Sequence, residues 1–228
     1  LRDGKNLGYA GGANDLIRSS KGPFILILNP DVKLTPDYVE KLVAVMKADP
    51  RGGVAGGKLL REEGVIDNAG IFSRRTFRSY NRGEGERDSG QYKAGEVMAI
   101  TGAAILLRRS MLEDVSPLGD YFDPDFFIYR EESDLCRRAG RRGWKIWFEP
   151  GAVAFHRRAW RKGGRRNMSR VARFHSFKNR YLEMVKNETW SSFWPKLPWI
   201  LSFELAQLAY VLVADPAASL RFYRDLLG

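Results

Sequence analysis

The most constraining stretch of this chain is Phe24-Ile25-Leu26-Ile27-Leu28-Asn29-Pro30-Asp31. Five consecutive apolar residues are too few for a helix and read as a buried strand. Pro30 cannot donate to a strand ladder, so the run ends in a turn at Asn29-Pro30-Asp31. A carboxylate is thereby placed at the end of a rigid strand, on the edge of a parallel sheet where open α/β folds hold their ligands. Such a group suits a hard divalent cation and, through it, a diphosphate. The alternative is an Asx-type turn that holds no ligand.

The chain around this strand alternates helix and strand signals. Asn6 to Asn14 reads as a glycine-rich turn leading into a helix of about eight residues that ends near Ser20-Lys21-Gly22. Its spacing is not the dinucleotide fingerprint. Thr35 is a plausible N-cap with Pro36 at the first helical position, and Val39, Leu42, Val43 and Met46 then share one helical face. Val54 to Leu60 reads as a strand. Residues 61–92 are polar and Gly/Arg-rich, and read as a surface excursion of short strands. Glu96 to Leu107 reads as two strands meeting at Thr101-Gly102, and Arg109 to Asp114 as a short helix. Glu131 to Ala139 is a helix with acids at its front and bases behind, an order that suits its dipole. Trp144 to Phe148 and Val153 to Phe155 read as strands, separated by a turn at Glu149-Pro150-Gly151. The second of them delivers His156. A helix follows from about Ser169 to Lys186.

Length and composition limit the function classes. The 228 residues, 44% of them hydrophobic, suffice for one sizeable α/β domain with room for an appendage. The single cysteine, Cys136, rules out a disulfide framework and a thiolate metal cluster, and fits a reducing compartment. The 38 Lys+Arg against 27 Asp+Glu give a net charge of +11, which favours anionic partners: phosphates, nucleic acid or an acidic membrane surface. No nucleic-acid-binding module is visible, and the basic residues are widely spread. The exception is residues 157–166, where Arg157, Arg158, Arg161, Lys162, Arg165 and Arg166 flank Gly163-Gly164. That loop could close on a diphosphate or stay solvated.

Three sites carry acid-base or metal-binding side chains at element ends: Asp31, the Glu131/Glu132/Asp134 group, and His156. Each has a bland reading, as a turn, a dipole partner or a core histidine. In an alternating α/β fold the strand ends on one edge converge, so the three can meet in one cleft.

The order Asn29-Pro30-Asp31, Thr101-Gly102-Ala103, Phe127 to Arg138, Gly143-Trp144, Pro150 and His156 resembles the inverting glycosyltransferases of family 2, and most of all their rhamnosyltransferase-like branch. The opening Asn6-Leu7-Gly8-Tyr9-Ala10-Gly11-Gly12-Ala13-Asn14 matches that branch, and Lys178-Asn179-Arg180 continues the match more weakly. The resemblance implies a GT-A fold, α/β with a mixed central sheet: a catalytic core over residues 1–156, then a basic loop and C-terminal amphipathic helices over 157–228. It implies that Asp31 and His156 bind Mg²⁺ or Mn²⁺, with contact to the diphosphate as the other role for His156. Asn6, Gly8 and Asn29 would join Asp31 in binding the donor nucleotide. Glu132, or its neighbour Glu131, would be the general base. Thr101, Gly102, Asp134 and Trp160 would face the acceptor, and Arg157, Arg158, Arg161 and Arg165 a diphosphate. Implied partners are a nucleotide-diphosphate sugar, first of all dTDP-rhamnose, and a glycan or polyprenyl-diphosphate-linked acceptor of cell-envelope polysaccharide synthesis. In this family a strand and a base-binding segment precede the glycine-rich turn. The chain, opening at Leu1, is expected to lack them.

Trp190, Phe193, Trp194 and Trp199 lead into the apolar run from Ile200 to Val213. With the basic surface they suit peripheral attachment to the cytoplasmic face of an anionic membrane. Packing on the core or on a second copy, as a homodimer, is the alternative cover. Pro195, Lys196 and Pro198 at the opening of that run and Glu204 inside it argue against a span. A non-catalytic glycosyltransferase-like scaffold and a basic phosphate- or nucleic-acid-binding α/β domain are the competing functions.

Overall fold

A computed structural model describes residues 4–61, 64–116, 118–157 and 169–214. Two compact units emerge. The first comprises the chain up to Phe72 together with Ser79–Asn187, and the second Ser73–Arg78 with the chain from Glu188 onward.

The first unit is built on a mixed sheet. Its strands are β1 (Phe24–Leu28), β2 (Val32–Leu34), β3 (Gly52–Leu60), β4 (Ile66–Asn68), β7 (Gly95–Glu96), β8 (Ala104–Arg108) and β9 (Lys145–His156). They lie in the order β1-β8-β3-β9-β2, with β4 added to β3 and β7 to β9. β5 (Ile71–Ser73) and β6 (Ser79–Asn81) form a separate two-stranded ribbon.

β3 and β9 run parallel, whereas β1 runs antiparallel to β8 from Phe24↔Arg108 to Leu28↔Ala104. The strand expected in a parallel, fully buried setting therefore sits in an antiparallel pair. It has one neighbour among the described residues, and its side chains alternate between two cores. Ile25 and Ile27 join α1 (Gly8–Ser19), α3 (Arg109–Val115) and α4 (Glu131–Arg141) on one face of the sheet. Phe24 and Leu26 lean towards Tyr38, Leu42 and Met46 of α2 (Tyr38–Ala48) on the other. The chain thus stacks helices on both faces of one sheet. Close approach is built in at Gly57 of β3, where a β-carbon would lie 2.1 Å from the Ala152 carbonyl oxygen and 2.6 Å from the Tyr38 ring.

Several boundaries differ from the sequence reading. The glycine-rich segment is itself helical: α1 begins at Gly8 and includes Gly11 and Gly12, because Ala10, Ala13 and Ile17 bury against the sheet. α2 starts after Asp37 rather than at Pro36, since the Thr35 hydroxyl turns to the Val153 carbonyl at 2.8 Å and to Asp37 Oδ1 at 2.8 Å. Residues 97–103 form no strand. Ala99 instead bridges Ile71. The two strands expected around Glu149-Pro150-Gly151 are one continuous β9, whose register slips where Gly57 and Lys58 pair Glu149 and Val153. α5 (Arg170–Asn187) follows the expected bounds closely.

The second unit contains α6 (Trp190–Phe193), a 3-10 turn at Trp194–Lys196 and α7 (Leu197–Ala214). Thr189 and Ser192 close a capping box at the start of α6. The expected amphipathic character is least marked in α7, which interrupts its apolar circumference only at Ser202, Glu204 and Gln207. No helix among the described residues is long and apolar enough to cross a membrane.

Candidate active site

Strand register brings the first two groups together. Val32 of β2 pairs with His156 at the end of β9, and the Arg157 amide donates to the Asp31 carbonyl at 2.9 Å. Asp31 and His156 therefore share an edge, with His156 Nε2 3.4 Å from Asp31 Oδ2. The other ring nitrogen, Nδ1, lies 2.9 Å from Oδ2 of Asp67, a fully buried carboxylate on β4. Arg61 Nε donates to the second oxygen of Asp67 at 2.9 Å. Asp67 thus fixes the orientation of the His156 ring through Nδ1, and Nε2 is left facing Asp31. Asp31 Oδ1 is buried without a hydrogen-bond partner among the described residues. An orphaned carboxylate oxygen beside an aimed imidazole nitrogen is a donor set that fits a divalent cation. Among the described residues no group of three or more His, Cys, Asp and Glu could hold one. Further ligands to such an ion must come from a bound molecule or from water.

The glutamates reach the same cavity from a helix. The chain from Phe126 to Arg130 takes an unusual course. Phe127 (φ 63°), Tyr129 (φ 71°) and Arg130 (φ 73°) all have positive φ, each at a cost of order 1–3 kcal/mol for a non-glycine residue. α4 starts immediately afterwards, so Glu131 and Glu132 occupy its first turn. Burial, and then Glu132, push the Glu131 carboxyl well above its ordinary range. Burial raises Glu132 to about 7. Glu132 keeps some exposed surface, so it stays within reach of solvent and ligand. One oxygen of each glutamate is buried without a hydrogen-bond partner among the described residues. The pair therefore offers two carboxyls whose hold on a proton is strengthened by burial, with Glu132 poised near neutrality. Tyr9 sits against them. Burial, Glu131 and Glu132 push its phenol well up, so it remains a donor, to the Gly102 carbonyl at 2.6 Å.

Asn29, Asp31, Thr101, Gly102, Glu131, Glu132 and His156 all line one cavity of about 580 Å³. Other expected site residues lie elsewhere. Asn6 accepts the Gly8 amide at 3.1 Å and does not line the cavity. Gly8 has φ +69°, and a β-carbon there would lie 2.4 Å from the Phe127 carbonyl oxygen, so its role is support of the 126–130 segment. Asp134 is buried and does not line the cavity, bonded to Arg138 Nε at 2.8 Å and Asn187 Nδ2 at 2.7 Å. Its place in the acceptor site is therefore not supported by its position. Arg157 is exposed and next to Asp31. Arg158, Trp160, Arg161 and Arg165 lie outside the described residues.

Several lining residues were missed in the sequence. Tyr9, Ser79, Tyr80, Asn81, Glu84 and Arg130 also face the cavity. Four of them belong to the polar excursion, where no hydrophobic period marks a buried position. Asp67 likewise has no local signature, and only the pairing of β4 with β3 beside β9 places it against His156.

Comparisons with known proteins bear on what such a site does. The model of the family described as "Glycosyltransferase like family 2" matches residues 3–190. The N-acetylglucosaminyl-diphospho-decaprenol L-rhamnosyltransferase of Mycobacterium tuberculosis is 27% identical over 242 residues, covering 93% of this chain and 75% of that protein. The low-salt glycan biosynthesis hexosyltransferase Agl10 of Haloferax volcanii is 26% identical over 146 residues, 62% of this chain and 46% of that one. Among solved structures, GalNAc-T7 with UDP, GalNAc and Mn²⁺ superposes with a TM-score of 0.55 at 13% identity, over 71% of this chain and 32% of its own. The mannosyltransferase PcManGT from Pyrobaculum calidifontis, in complex with GDP-Man and Mn²⁺, gives a TM-score of 0.50 at 18% identity, over 96% of this chain and 59% of its own. The chain therefore spans less than two thirds of either structural neighbour.

Proposed function

This chain belongs to glycosyltransferase-like family 2 and has the GT-A fold, and we propose that it moves a sugar from a nucleotide-diphosphate donor to a polyprenyl-diphosphate-linked glycan, with inversion. The observation that carries this reading is the meeting of Asp31, His156 and Glu132 on the wall of one cavity. dTDP-rhamnose is the donor to try first, by analogy with the mycobacterial relative, whose name specifies a rhamnosyltransferase and a lipid-linked acceptor.

In this mechanism Asp31 and His156 hold Mg²⁺ or Mn²⁺, and that ion, when bound, offsets charge on the leaving nucleoside diphosphate. Both structural neighbours bind a nucleotide together with Mn²⁺. Asn29 and Thr101, beside them on the cavity wall, orient the donor and the acceptor respectively. Glu132 takes the proton of the acceptor hydroxyl as that oxygen bonds to the anomeric carbon. The bond from the anomeric carbon to the diphosphate oxygen breaks with its electron pair. Glu131, whose carboxyl burial pushes well above its ordinary range, lines the cavity beside the base and raises the proton affinity of the pair. The cavity volume falls within the range of small-molecule and cofactor sites.

Attachment to the cytoplasmic face of an anionic membrane belongs to the same proposal. In the second unit Trp190, Trp194 and Trp199 are 76%, 59% and 52% exposed. The Arg75 guanidinium lies over the Trp199 ring at 5.9 Å. Indole rings beside cationic side chains suit a headgroup layer.

Isothermal titration of dTDP together with Mn²⁺ tests the site. Wild type should bind the pair cooperatively, and Asp31→Ala should weaken it at least about tenfold. Equal affinity of the two proteins would remove Asp31 from the donor site and with it this reading.

A further inference from the structure

The segment that delivers the glutamates is held from behind by one side chain. The Ile128 amide bonds to the Phe126 carbonyl at 2.7 Å around Phe127, whose φ of 63° and ψ of −59° make the rare positive-φ γ-turn. Tyr129 and Arg130 then take left-handed conformations before α4 begins. Nδ2 of Asn179, on α5, donates to the carbonyls of Phe126 at 2.8 Å, Ile128 at 2.9 Å and Tyr129 at 2.7 Å. The remaining carbonyl, that of Phe127, accepts the Ala10 amide at 3.2 Å. Asn179 is fully buried, and its own Oδ1 has no hydrogen-bond partner among the described residues. Its amide has thus given up one bond to aim its donors at three carbonyls. One turn further along α5, Glu183 is fully buried and takes Arg130 at 2.5 Å and Arg137 at 2.8 Å. α5 therefore grips both the strained segment and α4 behind it.

Strain of this kind persists only where the surroundings over-determine it, and it collects at functional sites. We infer that Asn179 is a positioning residue: it clamps residues 126–130 in their strained course and so holds Glu131 and Glu132 at the cavity. Asn179 does not line the cavity and touches no reacting atom. The inference rests on the proposed role of the glutamates, so its test separates the clamp from that role.

The test compares wild type, Asn179→Ala and the double variant Asn179→Ala/Phe127→Gly. Glycine adopts positive φ at no steric cost and so lessens the need for a clamp. Hydrogen exchange reports the clamp whatever the reaction. In Asn179→Ala, amides 126–132 should exchange faster while those of β3 and β8 do not. Sugar transfer at saturating donor should fall about 10–100-fold, as expected for a displaced reacting group. Affinity for dTDP with Mn²⁺ should stay within about twofold of wild type, because Asp31, in the turn before β2, and His156, at the end of β9, stand on other elements. The double variant should recover part of the lost transfer. A purely structural asparagine predicts the opposite pattern: transfer and nucleotide affinity fall together, exchange rises throughout the sheet, and Phe127→Gly worsens every loss. That pattern, unchanged exchange at 126–132, or local loosening with undiminished transfer would each overturn the inference. Should wild type bind dTDP with Mn²⁺ yet transfer no sugar, the role of the glutamates fails and the positioning role falls with it.

Discussion

Glu131 and Glu132 link chemistry to stability in opposite directions. A base must be ionised to accept a proton, and burial raises Glu132 to about 7. Turnover should therefore climb with pH through about 7, and Glu132→Gln should abolish both the activity and that limb. Stability runs the other way. Both carboxyls titrate higher in the folded chain than in the unfolded one, where the ordinary value is 4.5. Between those values the folded state binds more protons, so stability falls as pH rises through about 7. Asp37, Asp49, Asp88 and Asp125 are lowered by hydrogen bonds from Lys41, Lys145, Lys58 and Lys186, so their contributions are lost only at more acid pH. Thermal melting from pH 5.5 to 8 should show a decline in wild type that is smaller in Glu132→Gln. A melting temperature that rises over this window, or an equal decline in both, would contradict burial of the pair.

Among the elements, β2 and β9 do most to make the site, and they mark where the sequence could and could not be read. The Asn29-Pro30-Asp31 turn and the terminal histidine of β9 were visible as local patterns. Their meeting depends on the register Val32↔His156, which is a long-range fact. The two acids of α4 were visible as a dipole-matched first turn. The positive-φ course that aims them was not, because Phe127, Tyr129 and Arg130 carry no glycine signal. Glycines 11 and 12 misled in the other direction: they suggested a turn, yet burial of Ala10, Ala13 and Ile17 against the sheet makes the segment helical. Asp67 and Asn81 sit in a polar stretch that no period distinguishes from a surface loop. Propensity is a weak prior wherever tertiary burial decides. The tryptophans of the second unit stand at the head of the apolar run that the sequence already marks. If they seat the chain on a bilayer, replacing Trp190, Trp194 and Trp199 by alanine should weaken co-sedimentation with phosphatidylglycerol vesicles about tenfold or more, while dTDP binding is unaffected. Equal sedimentation of both proteins, or equal binding to vesicles of neutral lipid, would argue for packing against protein instead.

The molecule as a whole divides its labour between faces and edges of one sheet. Two cores, one under α2 and one under α1, α3 and α4, lock the sheet. Its edge then presents Asp31 and His156 to the cavity that Glu131 and Glu132 at the start of α4 also line. The +11 charge biases the surface towards phosphorylated and anionic partners in keeping with a diphosphate donor and a lipid-linked acceptor. The proposed base and the proposed metal site for the leaving group imply a single displacement at the anomeric carbon. NMR of the product formed from dTDP-rhamnose and a polyprenyl-diphosphate glycan settles this directly. Inversion predicts a new linkage whose anomeric configuration is opposite to that of the donor, absent with Asp31→Ala and with Glu132→Gln. A product of retained configuration, or undiminished product from either variant, would contradict it.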